Sequence, residues 1–252
     1  MMRYLRSGKV KDLYDAGNRC ILMVFTDRLS SHDVMLADQI PCKGEVLCRL
    51  SAYCFELFER SGVPTHLVEV PDPDKMLVEA SEVIPVEVLC RNYVYGTYWK
   101  RFQQGTVRLP EGTESILAAQ LSRPIIEYTT KFEAKDRPLE DEEILVNRWL
   151  SPAELSWVRS MTARVNELLC GMAEKAGFIV ADFKLEYARQ KDGRIILADE
   201  AGTPDGCRFW EASRYQPGRL QDSFDKQVVR DYLERVLGWD KHQPDPGSRL
   251  QE

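Results

Sequence analysis

The sequence has no C-x-x-C pair, no low-complexity tract, no excess of positive charge and no long apolar run. Each absence removes a class of function. Lys and Arg total 34 against 40 Asp and Glu, so a net charge of -6 offers no overall attraction to nucleic acid or to an anionic membrane surface. An anionic ligand must therefore be held by a local cluster of cations. The longest obvious apolar run, Ile21 to Phe25, is far too short to cross a bilayer, and Met1 to Asp15 lacks the apolar region of a signal peptide. The seven cysteines are odd in number and sit mostly among apolar residues, as small hydrophobes do, which leads us to expect a reduced, cytoplasmic setting. The three histidines, His32, His66 and His242, are too scattered for a His-based metal site and read as surface or packing residues.

What the chain does have is 252 residues, 44% of them hydrophobic, enough for one large domain or two modest lobes. Lys9 to Thr26 alternates around Gly17 and Asn18 and predicts a hairpin or meander. Val46, Leu47, Leu50, Cys54, Leu57 and Phe58 recur at helical spacing before Gly62 and Pro64. Short strands follow at Leu67 to Val70 and Met76 to Val78, and residues 1–84 read as a small α+β lobe. A second lobe, 85–252, opens on the β-branched run Val83 to Val88. Ser151, Pro152 and Glu154 spell a capping box with proline at the first helical position, and Gly177 ends that helix. Strands are expected at Phe178 to Ala188 and Arg194 to Asp199. A last helix, opened by Asp222 or Ser223, would carry Phe224, Val228, Tyr232, Val236 and Leu237 on its apolar stripe and end at Gly238. The polar, proline-containing tail after Trp239 reads as a loose terminus.

The most informative stretch is Asp182-Phe-Lys-Leu-Glu186 with Asp199-Glu200. Strand alternation sends Asp182, Lys184 and Glu186 to one face and Phe183 and Leu185 to the other. If Asp192-Gly193 forms a two-residue turn, Lys191 pairs with Arg194 and Glu186 falls directly opposite Asp199. Two carboxylates about 5 Å apart repel by roughly 3 kcal/mol at an effective dielectric near 20, so a cation is expected between them. Mg²⁺, which takes one or two carboxylates with phosphate oxygens, would explain the pair, and neutralising either partner should then leave the fold no less stable. A solvated strand face with Lys184 neutralising its neighbours explains the alternation equally well.

Gly8-Lys9-Val10-Lys11 offers a glycine turn with two lysines on one side, but it lacks Walker A spacing. Arg91 and Arg208 flank turn-rich stretches, and a planar guanidinium suits phosphate and carboxylate ligands. Lys226 and Arg230, one turn apart, read as a routine charged face. Lys131 is one lysine among acids.

Taken in chain order, Ser7-Gly-Lys-Val-Lys-Asp-Leu-Tyr14, Thr26-Asp-Arg-Leu-Ser-Ser-His-Asp33, Pro85-Val-Glu-Val-Leu-Cys-Arg-Asn92, Thr129-Thr-Lys131, Asp182-Phe-Lys-Leu-Glu186, Asp199-Glu200, Thr203-Pro-Asp-Gly-Cys-Arg-Phe-Trp210 and Gln221-Asp-Ser-Phe-Asp-Lys-Gln227 resemble the signature segments of the SAICAR synthetase family, over nearly the whole chain. The resemblance implies an α+β protein of two lobes. A small kinase-like or ATP-grasp-like antiparallel-sheet lobe packs on a larger α+β lobe, with ATP in the cleft between them. It implies that Lys9 and Lys11 reach the ATP phosphates, that Lys131 contacts the nucleotide, and that Glu186 and Asp199 hold Mg²⁺. Arg91, Thr97, Asp182, Lys184, Arg208 and Lys226 would surround carboxyaminoimidazole ribonucleotide (CAIR). Of these residues, Lys131, Asp182 and Lys184 would stand nearest the chemistry.

The implied reaction activates the CAIR carboxylate with the γ-phosphoryl of ATP as an acyl phosphate, and L-aspartate then displaces phosphate. Such chemistry needs positioning and charge neutralisation more than a protein nucleophile, which agrees with the lack of a Ser-His-Asp or Cys-His pattern. Three positions depart from the family pattern. Cys207 stands where serine is common, His32 precedes Asp33 where an aromatic or small residue is usual, and the His-Asp pair expected before Asp136 is missing, so Asp136 receives no role. Rival readings are another ATP-dependent ligase or small-molecule kinase, against which the substrate cations Arg91, Arg208 and Lys226 argue, and a catalytically silent nucleotide-binding module, against which the two retained carboxylates argue. A homo-oligomer follows only from analogy.

Overall fold

The computed structural model describes residues 2–31, 34–133, 136–236 and 238–239, so His32, Asp33, Leu237, His242 and the tail after Trp239 lie outside the described residues. The chain forms a mixed helix-and-sheet fold with several antiparallel sheets. The first strands are β1 (Arg3–Ser7), β2 (Lys11–Gly17) and β3 (Cys20–Phe25), then the short pair β4 (Arg28–Ser31) and β5 (Val34–Gln39), then β6 (Leu67–Asp72) and β7 (Lys75–Glu79). Helix α1 (Lys43–Arg60) runs between the two groups. A five-stranded sheet takes the order β1-β2-β3-β7-β6, and β4 pairs with β5 separately. The expected first hairpin is β2–β3, turning through Asn18 and Arg19, both at positive φ. Strand β1, which pairs with β2, extends it beyond the sequence reading.

The second sheet holds β8 (Glu82–Tyr93), β9 (Gln120–Thr130), β10 (Pro138–Leu139), β11 (Phe178–Arg189), β12 (Ile195–Ala198) and β13 (Cys207–Glu211). Its order is β10-β9-β8-β11-β12, and β13 pairs with the first half of β11 while β12 pairs with the second. Three helices intervene: α2 (Gly96–Gln103), α3 (Asp141–Val146) and α4 (Pro152–Lys175), and α5 (Gln227–Asp231) follows the sheet. The capping box at α4 is present. Ser151 Oγ accepts from the Glu154 N–H, and the Glu154 carboxylate accepts from the Ser151 N–H. Such a cap is worth about 1 kcal/mol. Among the described residues, no helix is long and apolar enough to cross a membrane.

One apolar cluster joins both sheets. Met23 and Phe25 of β3 and Met76 and Val78 of β7 meet Leu47, Phe55 and Phe58 of α1, and the same cluster continues through Val86 and Val88 of β8, Phe183 and Leu185 of β11, and Val158, Val165 and Leu169 of α4. Val46, counted on the α1 stripe from its spacing, faces solvent; Leu47, Cys48, Ser51, Cys54, Phe55 and Phe58 form the buried face.

Two expectations are corrected. The β11–β12 connection is a three-residue turn, not two: Gln190 pairs with Arg194, and Gly193 takes φ 89. The register slips by one, so Glu186 faces Ala198 and not Asp199. The last helix begins at Gln227 because Ser223 bridges to Trp210 and the Asp225 carboxylate accepts from both the Phe209 and Gln227 N–H groups, tying the preceding segment to β13. That shift rotates the apolar face. Phe224, Val228 and Val236 are exposed, while Leu233, in a π-helical turn over Tyr232–Val236, is buried with Leu29, Leu36 and Trp239.

Candidate active site

A cavity of about 750 Å³ is lined by the Gly8–Lys11 turn, by β8 and β11 of the second sheet, by the loop from Asp199 to Arg208, and by Lys226 and Arg230. Every site residue named from the sequence lines it: Lys9, Lys11, Arg91, Thr97, Lys131, Asp182, Lys184, Glu186, Asp199, Arg208 and Lys226. A slightly larger cavity, about 840 Å³, lies between the start of α4 and the β11–β12 turn, and Trp157, Met161 and Ile196 give it mainly apolar walls. The ligand chemistry belongs to the first.

Local geometry explains how each wall is held. The Gly8 N–H donates to the Lys11 carbonyl at 2.7 Å, closing the turn that presents both lysines. Arg28 braces it from behind, donating to the Gly8 carbonyl at 3.2 Å, the Lys9 carbonyl at 3.3 Å and Asp12 at 2.6 Å. Lys11 then reaches across to the other sheet. Its Nζ lies 2.6 Å from Asp199 Oδ1 and 3.6 Å from Glu200 Oε2. Burial alone would lower the Lys11 ammonium, but these carboxylates raise it above its ordinary value.

On the second sheet, Phe183 and Leu185 enter the core while Asp182, Lys184 and Glu186 face the cavity, as alternation predicts. Register then builds what sequence could not show. Asp182 sits in one row between Arg91 of β8 and Arg208 of β13. Arg208 donates to its carboxylate, and Arg91 lies 3.6 Å away while also donating to Glu127 at 2.6 Å and Thr97 Oγ1 at 3.2 Å. Arg208 stacks on Tyr95 at 5.2 Å. Glu186 directly opposes Glu87 across β8–β11, and Lys184 Nζ meets Glu87 Oε1 at 2.9 Å while Lys131 pairs with Glu186. Glu87 was missed, although Glu87, Leu89 and Arg91 alternate with the buried Val86, Val88 and Cys90 and so share the cavity face.

The Glu186–Asp199 pair survives the register correction by another route. Asp199 follows β12 with φ 65, a left-handed conformation that aspartate tolerates better than most residues, and this departs from strand alternation. The two carboxylates remain close enough to affect one another. Burial first, and then the Asp199 charge, push Glu186 up to about 7 against the pull of Lys131 and Lys184. Asp199 is held down at about 2: burial opposes this, but Lys11, with Lys131 and Lys184, outweighs it. Among the described residues, no three His, Cys, Asp or Glu side chains converge as a metal cage. Two hard-oxygen donors, Glu186 buried and Asp199 partly exposed, are the partial set that Mg²⁺ takes when phosphates and water supply the rest, so the residues fit that ion.

At the far end of the cavity, Asp205 Oδ2 accepts from Lys43 at 2.9 Å and from Lys226 at 3.0 Å, and Lys226 also lies 3.5 Å from Ser30 Oγ. Burial would raise Asp205, but the Lys226 and Lys43 charges hold it below the ordinary carboxylate range. Lys43 and Asp205 are distant in sequence, and no local pattern linked them. Cys207 is buried in the core, its thiol pushed well up by burial, so it carries no thiolate chemistry.

Lysines and arginines from several elements, converging on one cavity around buried carboxylates, define an enzyme that handles phosphate-bearing anions. The comparisons with known proteins give the same class and make it specific. The family model described as SAICAR synthetase matches residues 4–246. Phosphoribosylaminoimidazole-succinocarboxamide synthase of Nitrosopumilus maritimus is 36% identical over 251 residues, covering 100% of this chain and 89% of that protein. The enzyme of the same name from Halorhodospira halophila is 37% identical over 261 residues, covering 96% and 86%. Among solved structures, SAICAR synthase from Saccharomyces cerevisiae complexed with SAICAR aligns with TM-score 0.81 at 29% identity, over 94% of this chain and 85% of that one. A SAICAR synthetase in complex with ADP aligns with TM-score 0.76 at 31% identity, over 93% and 98%. The chain belongs to the SAICAR synthetase family, and it is a ligase.

Proposed function

We propose that this ligase joins L-aspartate to the carboxylate of CAIR in purine biosynthesis, forming SAICAR, ADP and phosphate. The observation that carries the reading is the single cavity that gathers all of the implied site residues from both sheets and the loops between them. A relative bound to SAICAR and another bound to ADP support it.

In this reading residues 1–84 form a small ATP-binding lobe, residues 85–252 a larger one, and the cavity between them is the ATP site. Lys9 and Lys11, fixed by the Arg28-braced turn, neutralise the phosphates, and Lys131 contacts the nucleotide. Arg91, Thr97, Asp182, Lys184, Arg208 and Lys226 bind the ribonucleotide, the cations meeting its phosphate and carboxylate and Asp182 pairing with both arginines. Glu186 and Asp199 hold Mg²⁺, which when bound supplies positive charge to the phosphate oxygens. A CAIR carboxylate oxygen forms a bond to the γ-phosphorus as the bond to the ADP oxygen breaks. The aspartate amine, once it has lost its proton, attacks the acyl carbon, and phosphate leaves. No side chain need form a covalent bond; the site contributes position and charge. The setting is cytoplasmic.

The test is ADP formation with ATP, CAIR, L-aspartate and Mg²⁺, omitting each in turn. Full ADP release without the ribonucleotide would refute the reading.

A further inference from the structure

Lys43 stands in an unfavourable place. It is the first residue of α1, at the end of the helix where the backbone dipole is positive and a cation is disfavoured, and its side chain is 8% exposed. A buried ammonium without a partner is costly. Nor is Lys43 among the residues that line the cavity. Yet the chain fixes it there with care. Cys42 takes φ 65, the Asp27 carboxylate accepts from the Cys42 N–H at 3.1 Å and the Gly44 N–H at 2.9 Å, and a Cβ on Gly44 would stand 2.7 Å from the Phe25 carbonyl oxygen. The segments Thr26–Arg28 and Cys42–Gly44 thus lock one another and aim Lys43 at Asp205.

Asp205 is shared. Its side chain is 5% exposed and meets Lys43 and Lys226 at nearly equal distances, 2.9 and 3.0 Å, and of the two lysines Lys226 lines the cavity. Were Asp205 alone with Lys226, the pair would be neutral and the lysine drawn toward the carboxylate. With Lys43 also paired to Asp205, the three groups together carry one positive charge, and Lys226 is the lysine of the three that lines the cavity. We propose that Lys43 is a positioning residue that offsets the Asp205 charge, so that the cluster presents a net positive charge to the substrate anion through Lys226. This rests on the reading that Lys226 serves the ribonucleotide.

The charge balance gives a test that a merely structural role does not pass. Lys43→Met leaves Asp205 and Lys226 as a neutral pair and should raise the KM for CAIR about tenfold, the loss of roughly one charge-assisted contact, with the KM for ATP within about twofold. Adding Asp205→Asn restores the single positive charge and should recover most of the loss. Melting curves and ADP binding confirm that each protein is folded. An unmoved CAIR KM in Lys43→Met, or a double variant no better than the single, overturns the proposal. Should Lys43→Met not fold, the double variant decides alone: a CAIR KM near wild type supports the proposal and a tenfold rise overturns it. Failure of the functional reading looks different, because the wild-type protein would then show no CAIR-dependent ADP release.

Discussion

Glu186→Gln should make the protein more stable while abolishing most of its turnover, and the size of the gain should depend on pH. Burial and the Asp199 charge raise Glu186 from its ordinary 4.5 to about 7. For a carboxyl raised on folding, the folded state keeps its proton between those two values while the unfolded state has lost it. Stability therefore falls as pH rises from 4.5 to 7 and is flat above and below. That interval corresponds to at most about 3 kcal/mol at about 1.4 kcal/mol per pH unit. A glutamine has no charge to bury, so it escapes the penalty, which is already net of the attraction of Lys131 and Lys184. We expect a net gain of about 1 to 2 kcal/mol at pH 8, or roughly 3 to 6 °C in Tm for a chain of this size, closing to zero near pH 4.5. Asp199→Asn should go the other way. Asp199 is depressed from 3.8 to about 2, so its charge stabilises the fold above 3.8 and the contribution is lost as pH falls through 2. Removing it at neutral pH should lower stability, by less than the shift alone implies because Glu186 is relieved of a neighbouring charge, and should leave the buried Lys11 paired with Glu200. Asparagine tolerates the left-handed backbone, so strain adds little. The expectation drawn from an opposed pair, that either neutralisation is harmless, thus divides by residue. Thermal melts in chelator without nucleotide, from pH 4.5 to 8, paired with ADP-release rates at saturating magnesium, decide it. A Glu186→Gln protein no more stable at pH 8 than wild type would refute the electrostatic argument, and normal turnover in either variant would refute the metal assignment.

Arg208→Ala should raise the KM for CAIR about ten- to hundredfold, the loss of about 1.5 to 3 kcal/mol, while the KM for ATP stays near wild type; initial-rate kinetics with each substrate varied will show which one moves. Gly202→Ala should lower stability by more than about 2 kcal/mol, because Gly202 has φ 72 and a Cβ there would stand 2.3 Å from Cys54 Sγ; a chemical denaturation midpoint close to wild type would contradict this. Cys207→Ser should keep most of the turnover and lose about 1 to 2 kcal/mol, since a hydroxyl replaces a thiol packed in the core; a folded but inactive variant would reveal a role for the sulfur.

The parts of the fold that were legible were those with local chemistry. Ser151 and Glu154 cap α4 through bonds within one turn, and the alternation from Asp182 to Glu186 needs only a strand. The β11–β12 register was not legible, because Asp192-Gly193 suits both a two-residue turn and the three-residue turn that Gly193 closes at φ 89. A slip of one residue reverses which side chains meet. Asp199 then returned to the site through a left-handed φ that alternation does not anticipate. The start of the last helix was misplaced because Asp225 is tied to Phe209, a contact between segments. The candidate site was legible through resemblance, residue by residue, but its supporting partners were less so. Glu127 behind Arg91, Glu87 opposite Glu186 and Lys43 behind Asp205 come from strands and helices whose adjacency only the folded chain establishes.

The apolar cluster that runs from β3 and β7 through α1 into β8, β11 and α4 has a practical consequence for anyone who divides the molecule. A chain cut at the two-residue link between β7 and β8 would leave each piece displaying the greasy surface its counterpart normally covers. Neither piece would have the means to stay in solution for long alone. Mixed, each would supply the other's missing floor, and the ion pair between Lys11 on one piece and Asp199 on the other would form only with reassembly.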